Sequence, residues 1–310
     1  MIALVIGVVA GIASTMQASI NTEARKFFRS PFITAGINFA VAWLLLAAFI
    51  IFNEHRLFIP LGKIAENPPW IWLGGVCAII IVTLNIVCVP KLGAAGNVII
   101  LNFGQVVTGL VIDHFALFGT DEVQMTLTRL AGAALVLAGM VISTREKGTG
   151  GGGRKALPLL YAILAFIDGI ACSTQIAVNG TLKTVVESAS KATLVSMSVA
   201  MLSTSIVVIT LLLTKGRRGI FDSDTGVRPD FKIWMISGGM FALTVVSGNA
   251  AVAPVLGTGL NTIMNLIGMM AAGLAIDAAG FLGIEKKPVT FRKIAGMLLM
   301  LAGTAAISFI

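Results

Sequence analysis

The sequence predicts an all-α integral membrane protein, with ten transmembrane helices built as two inverted five-helix repeats. Three observations carry that reading. Of the 310 residues, 57% are hydrophobic and only 12% charged, and the mean hydropathy is +0.97, a composition foreign to water-soluble domains. The apolar residues gather in ten runs long enough to cross hydrocarbon. The chain also repeats itself. Gly11, Gln17 and Asn21 recur 158 positions later as Gly169, Gln175 and Asn179. Beyond six extra residues near Lys215 to Lys232 the offset becomes 164. Gly74-Gly75 then returns as Gly238-Gly239, Asn85 as Asn249, Pro90 as Pro254, Asn97 as Asn261 and Asp113 as Asp277. A fixed offset over so many positions is the mark of a duplicated unit. Five crossings per unit turn the second copy upside down, a recurring design of secondary transporters.

The expected spans follow in order. Helix 1 (2–22) starts at Met1 without a basic leader or cleavage site, so it is expected in the mature protein. It carries the small-xxx-small pair Gly7 and Gly11, then Gln17 and Asn21 on one face. Helix 2 (32–52) is apolar. Helix 3 (70–90) carries Asn85 one turn before Pro90, which ends the helix or frees carbonyls for a ligand, the helix end being the plainer reading. Helix 4 (94–116) carries Asn97, Gln105 and Asp113. Helix 5 (125–144) carries Gly132 and Gly139, and its mate helix 10 (290–309) carries Gly296 and Gly303; these mark an expected contact between the halves. Helix 6 (157–180) brings Asp168, Gln175 and Asn179. Helix 7 (191–214) is apolar, helix 8 (233–254) holds Asn249 and Pro254, and helix 9 (258–282) holds Asn261, Asn265 and Asp277. The first repeat is taken as 1–145 and the second as 157–310. The glycine-rich basic stretch 146–156 between them reads as a cytoplasmic linker. It lacks the Lys-Ser/Thr ending and preceding strand of a phosphate loop, since Arg154 and Lys155 stand there.

The net charge of +8 reflects topology and not a nucleic-acid partner. Loops 1–2, 3–4, 5–6, 7–8 and 9–10 carry 17 of the Lys and Arg residues, and the other face carries 5. That bias places the basic face in the cytoplasm and both termini outside. Cys77, Cys88 and Cys172 all fall inside spans with no metal or disulfide spacing. No metal, cofactor or catalytic residue is expected: His55 and His114 are the only histidines, and no nucleophile stands beside a base.

Polar groups inside the membrane are the functional candidates. Gln17, Asn21, Gln175 and Asn179 suit a solute pathway, or equally interhelical hydrogen bonds worth about 0.6 kcal/mol each. The series on helices 4 and 9 winds around each helix, because a four-residue step drifts about 40° per turn. Such helices line a cavity or contact several partners; Asn85, Asn97, Gln105, Asn249, Asn261 and Asn265 are the candidate contacts. Asp113 and Asp277 lie near helix ends on opposite faces, within expected reach of water or an interfacial partner. Asp168 sits mid-helix, where its repeat mate is Ala10. A carboxylate there costs roughly 2.5–3.5 kcal/mol on insertion scales, so Asp168 leads Asp113 and Asp277 as a proton-coupling or cation-binding candidate.

The segment Asn102 to Gly119 contains Gly104-Gln105 and Ile112-Asp113-His114-Phe115. It resembles the fourth helix of the YdcZ-like family of bacterial inner-membrane exporters, within the drug/metabolite transporter superfamily. Gln17 followed by Asn21, and Asn85 before Pro90, match the same family, while Ala116 stands where it usually has glycine. The second half keeps Gln175, Asn179, Asn249, Pro254 and Asp277 but has Met269 for the glutamine and Ala278 for the histidine. The resemblance implies a small-molecule exporter of the bacterial inner membrane, here a fusion of two units.

Taken together, these features point to a secondary transporter working by alternating access, with helices 1, 3, 4 and 6, 8, 9 lining the path. Amides outnumber charges there, which suits a neutral, zwitterionic or weakly charged solute; a homodimer stays open. A selective channel is the alternative, told apart by flux without saturable exchange. A non-transporting scaffold is the third reading. It gains if helices 4 and 9 pack tightly with their amides mutually bonded and no central cavity.

Overall fold

The computed structural model describes residues 1–54, 66–144, 159–216, 220–221, 229–281 and 286–308, with backbone alone at 54, 246–247, 250–251 and 253–260. The expected linker 146–156 lies outside them. The described helices are α1 (Ile2–Phe28), α2 (Pro31–Glu54), α3 (Gly74–Leu92), α4 (Ala94–His114), α5 (Leu127–Thr144), α6 (Leu159–Val186), α7 (Ala189–Lys215), α8 (Gly238–Ala279) and α9 (Phe291–Ser308). No strand occurs among the described residues, as a chain immersed in hydrocarbon requires, since each helix satisfies its own backbone.

α1 and α6 each run about six residues past their expected ends, to Phe28 and Val186, and one boundary between helices departs from the sequence reading. The expected helices 8 and 9 form a single helical run, α8. That run turns back on itself. Asn249 accepts hydrogen bonds from Asn261 and Asn265, and a straight helix would hold Asn249 and Asn261 about 18 Å apart. Its two arms therefore provide two crossings, matching α3 and α4 of the first half. There the break is open: Gly93, at φ +82°, separates α3 from α4. Pro90 falls in the last turn of α3, so it closes a helix and does not open a midmembrane gap.

The repeat is visible in fine detail. Short 3-10 turns, Pro69–Trp72 and Ile233–Ile236, lead into α3 and α8 at the 164 offset. Arg29 and Glu187, mates at 158, each follow a first helix in the left-handed conformation, at φ 54° and 57°.

The two halves interlock. α1 packs along both arms of α8, and α6 packs along α3 and α4, so the first helix of each half rests on the third and fourth of the other. Glycines permit these crossings. A side chain at Gly11 would run into the Asn265 carbonyl, and one at Gly268 into the Val8 carbonyl; Gly169 meets Leu101 and Gly104 meets Phe166 in the same way. Without a hydrophobic drive between lipid-soluble helices, such backbone approach supplies the association. α5 and α9 likewise meet through Gly132 against Gly303 and Gly139 against Gly296.

Between these pairs, α2, α3, α7 and the first arm of α8 bury Phe39, Val82, Ile86, Met197 and Ala242 in one cluster. α4, α5, α9 and the second arm bury Val98, Val136, Leu266 and Met300 in another. Large apolar side chains such as Phe52, Leu127, Leu213 and Phe291 point outward, where lipid receives them.

Candidate functional site

Two polar nodes, one per repeat, form where the third and fourth helices meet the first helix of the opposite half. In the first node Asn97 Nδ2 on α4 donates to Asn85 Oδ1 on α3 at 2.7 Å. Asn85 Nδ2 then donates to Asp168 Oδ2 on α6 at 2.6 Å, and also to the Ile81 carbonyl one turn back. Cys172 Sγ, one turn beyond Asp168, donates to Oδ1 at 3.8 Å. Three helices are thus tied by a chain whose bonds all point toward one carboxylate. Asp168 is 0% exposed and Asn97 1%. Asn97 Oδ1 is buried without a hydrogen-bond partner, so the node is connected but not saturated.

The second node repeats the first two members and replaces the third. Asn261 Nδ2 donates to Asn249 Oδ1 at 3.0 Å, as Asn97 does to Asn85. Asn265 Nδ2 adds a second bond to Asn249 Oδ1 at 2.6 Å. Ala10, the mate of Asp168, is buried beside Gly248. The sink of hydrogen bonds is a carboxylate in one node and an amide oxygen in the other.

The helix 1 and helix 6 amides make a separate pair of joints. Gln17 Nε2 and Asn21 Nδ2 donate to Asn38 Oδ1 on α2, at 3.5 and 3.2 Å, with Gly238 pressed against Asn21 and Asn38. In the other half Asn179 Oδ1 accepts from Ser196 on α7 at 2.6 Å. Gln175 Nε2 donates to the Gly74 carbonyl at 2.9 Å. Asn38 and Ser196 escaped the sequence reading, although they are mates at the same 158 offset and could have been found by it. Gln105 does not join a node through the bonds it makes: its backbone carbonyl accepts from Ser173 at 2.6 Å. The Met269 carbonyl accepts from Thr15 at 3.2 Å in the mirrored place. Because the carbonyl makes this bond, exchanging glutamine for methionine leaves it intact.

The helix-end carboxylates behave differently from one another. Asp113 pairs with Arg129 at 3.0 Å and keeps 37% of its side chain exposed. Asp277, expected within reach of water or an interfacial partner, is 0% exposed. It sits over the α4 N-terminus, Oδ1 accepting from the Ala94 amide at 2.8 Å and Oδ2 from Ala95 at 3.3 Å. Lys293 Nζ lies 3.9 Å away and is itself buried. The Gly93 corner explains the burial: a Cβ there would stand 3.0 Å from both Asp277 oxygens. Arg129 and Lys293 are mates at 164, the same spacing as the carboxylates they face. Counting them as loop charges hid them: they lie within α5 and α9.

Among the described residues, no group of three or more His, Cys, Asp or Glu could hold a metal. The two clearest cavities are apolar: about 240 Å³ between α4, α5 and α6, beside Phe103, Met140 and Phe166, and about 390 Å³ between α2 and α7, beside Phe32, Gly36 and Ile209. Neither is lined by a node residue.

A family model described as "Putative inner membrane exporter, YdcZ" matches twice, over residues 2–142 and 160–306. No curated protein matches the chain. A protein of known crystal structure, 14% identical, superposes with a TM-score of 0.58 over 98% of this chain and 95% of its own; at that identity the likeness concerns the fold alone.

Proposed function

Since the chain belongs to the YdcZ family of inner-membrane exporters, we propose that it is a secondary transporter. It exports a small neutral, zwitterionic or weakly charged solute by alternating access, with proton coupling at Asp168. The observation that carries the reading is the family match over both halves of an inverted repeat, an architecture in which either half can take the shape of the other. The solute path runs between the interlocked halves past the two amide nodes. Asp168 couples because it is a buried carboxylate with no basic side chain beside it among the described residues. A proton moved down a 100 mV potential releases about 2.3 kcal/mol. Asp113 and Asp277, each facing a basic residue, are secondary candidates. The basic face is assigned to the cytoplasm and both termini to the opposite side.

One observation favours a second reading. The node asparagines of α3, α4 and α8 bond to one another, and neither of the two cavities above is lined by them, which leans toward the scaffold. An occluded carrier meets the same condition, so flux decides. Reconstituted protein, screened against metabolite and drug-like solutes, is expected to show saturable exchange that a pH gradient accelerates. Asp168→Asn should abolish the acceleration. Absence of flux for every solute class, from correctly folded protein, refutes the carrier.

A further inference from the structure

The two nodes differ by a pair of exchanges that offset each other. Where the first has Asp168 and Leu101, the second has Ala10 and Asn265. The positions correspond in space as well as in number: Gly169 crosses α4 at the Leu101 carbonyl, and Gly11 crosses α8 at the Asn265 carbonyl. Asn265 reaches Asn249 from one turn beyond Asn261. Leu101, 3% exposed, stands one turn beyond Asn97 in the same relation to Asn85. Each node therefore has one third partner for its central asparagine, drawn from the first helix of the opposite half in one case and from the fourth helix in the other.

Resting on the coupled reading above, we infer that these are interchangeable joints of which only one is ionisable, so that the cycle carries a single proton, bound at Asp168. The other described carboxylates of the helices each face a basic side chain: Glu23 with Lys26, Asp113 with Arg129, Asp277 with Lys293. Around Asp168 the titratable groups are thiols, Cys172 on its own helix and Cys77 and Cys88 on α3. α4 contributes Asn97, and from α1 Arg25 reaches the Ile86 carbonyl, next to Asn85, at 3.4 Å. The chain of amides has a direction that suits this role. In this arrangement the carboxylate only accepts. When it takes a proton from water, its hydroxyl needs an acceptor. Turning over the Asn85 amide presents Oδ1 to it, and the freed Nδ2 then faces Asn97, whose Oδ1 has no partner now. Loss of the proton reverses both amides. The second node has no such second state, because its sink is an amide oxygen.

The test uses the full chain in detergent and then in liposomes. Asp168→Ala is expected to lower the melting temperature, and adding Leu101→Asn to restore at least half of the loss by rebuilding the second-node arrangement. Compared with the native protein, infrared titration should show one titrating carboxyl fewer in D168A and in L101N/D168A, and one more in A10D/N265L. A D168A protein that melts normally, or one that L101N leaves unrescued, overturns the equivalence of the nodes. Rescue combined with a carboxyl that never titrates overturns the one-proton count and the coupled reading while leaving the equivalence intact. Should A10D/N265L fail to fold, L101N/D168A alone still decides, since its rescue and its missing carboxyl are read independently.

Discussion

Removing the Asp277 carboxylate tests what holds the two halves together at one membrane face. Its oxygens cap two backbone amides of α4, a role whose loss costs about 1–2 kcal/mol. Its charge faces Lys293, buried to 4% exposure. Taking away one member of a buried pair costs about 3–5 kcal/mol, mostly because the survivor stays buried. At 3.9 Å the pair is long, and Lys293 also donates to the Pro288 carbonyl at 3.4 Å, so the lower end applies. Asp277→Ala should therefore destabilise the folded protein by about 4 kcal/mol. Asp277→Asn keeps an oxygen for the cap and loses only the charge, for about 3 kcal/mol by the same pair argument. Removing both charges in D277N/K293M should come back to within about 1 kcal/mol of the native protein, since an apolar replacement of a buried pair is often neutral. Unfolding midpoints of purified protein in mixed micelles give the order. If D277N/K293M is as unstable as D277A, the charge and not the cap sustains the joint, and the reasoning fails.

Further expectations concern the backbone and the crossings. Ala116 is left-handed, at φ 49°, where its mate Gly280 sits at φ 65°; Ala116→Gly should stabilise by about 1 kcal/mol and Gly280→Ala destabilise by a similar amount, read as opposite shifts in melting temperature. Gly169→Ala drives a methyl into the Leu101 carbonyl, whereas Gly180→Ala on the same helix meets nothing within 4 Å. The first should cost about 1–3 kcal/mol and the second nothing, or gain up to about 1 kcal/mol, by the same thermal assay. Asn85→Ala breaks the two interhelical bonds that Asn85 makes, to Asn97 and Asp168; at about 0.6 kcal/mol each they predict a loss near 1 kcal/mol, with pH-driven transport falling much further than stability. Equal losses in both would assign Asn85 to packing alone.

Much of the fold was legible because the physics that builds it is strong and local. Hydrocarbon demands long apolar helices, and an inherited repeat doubles every signal, so Gly74-Gly75 against Gly238-Gly239 aligns two helices at once, though the starts expected at 70 and 233 lie ahead of the observed Gly74 and Gly238. The glycines of helices 5 and 10 announced their contact for the same reason, since only small residues let lipid-soluble helices touch. What stayed hidden was partnership across the interlock. Nothing in the run Asn261 to Asp277 says that its last carboxylate will cap a helix some 180 positions earlier. That bond depends on Gly93 turning the chain beneath it, a tertiary fact. Likewise the spans expected at 233–254 and 258–282 separate the two arms of α8, but nothing in either says that Asn261 will bond to Asn249.

The candidate site shows where repeat logic helps and where it misleads. Matching residues across the offset finds amides that occur twice, and it would have found Asn38 with Ser196 and Arg129 with Lys293 had short polar and helix-end residues been matched too. The same procedure marks Asp168 as an isolated oddity, because Ala10 is its mate. Geometry removes the oddity. The central asparagine of each node is partly buried between helices, and a polar group inside a membrane is costly enough to favour a third partner. The first node takes it from α6 and the second from α8 itself, so the difference between Asp168 and Ala10 is offset by that between Leu101 and Asn265. An internal duplication that has drifted in this way keeps its two joints while letting only one of them carry charge. That division is what the single-proton cycle proposed above predicts: both nodes hold helices together, and one also changes state.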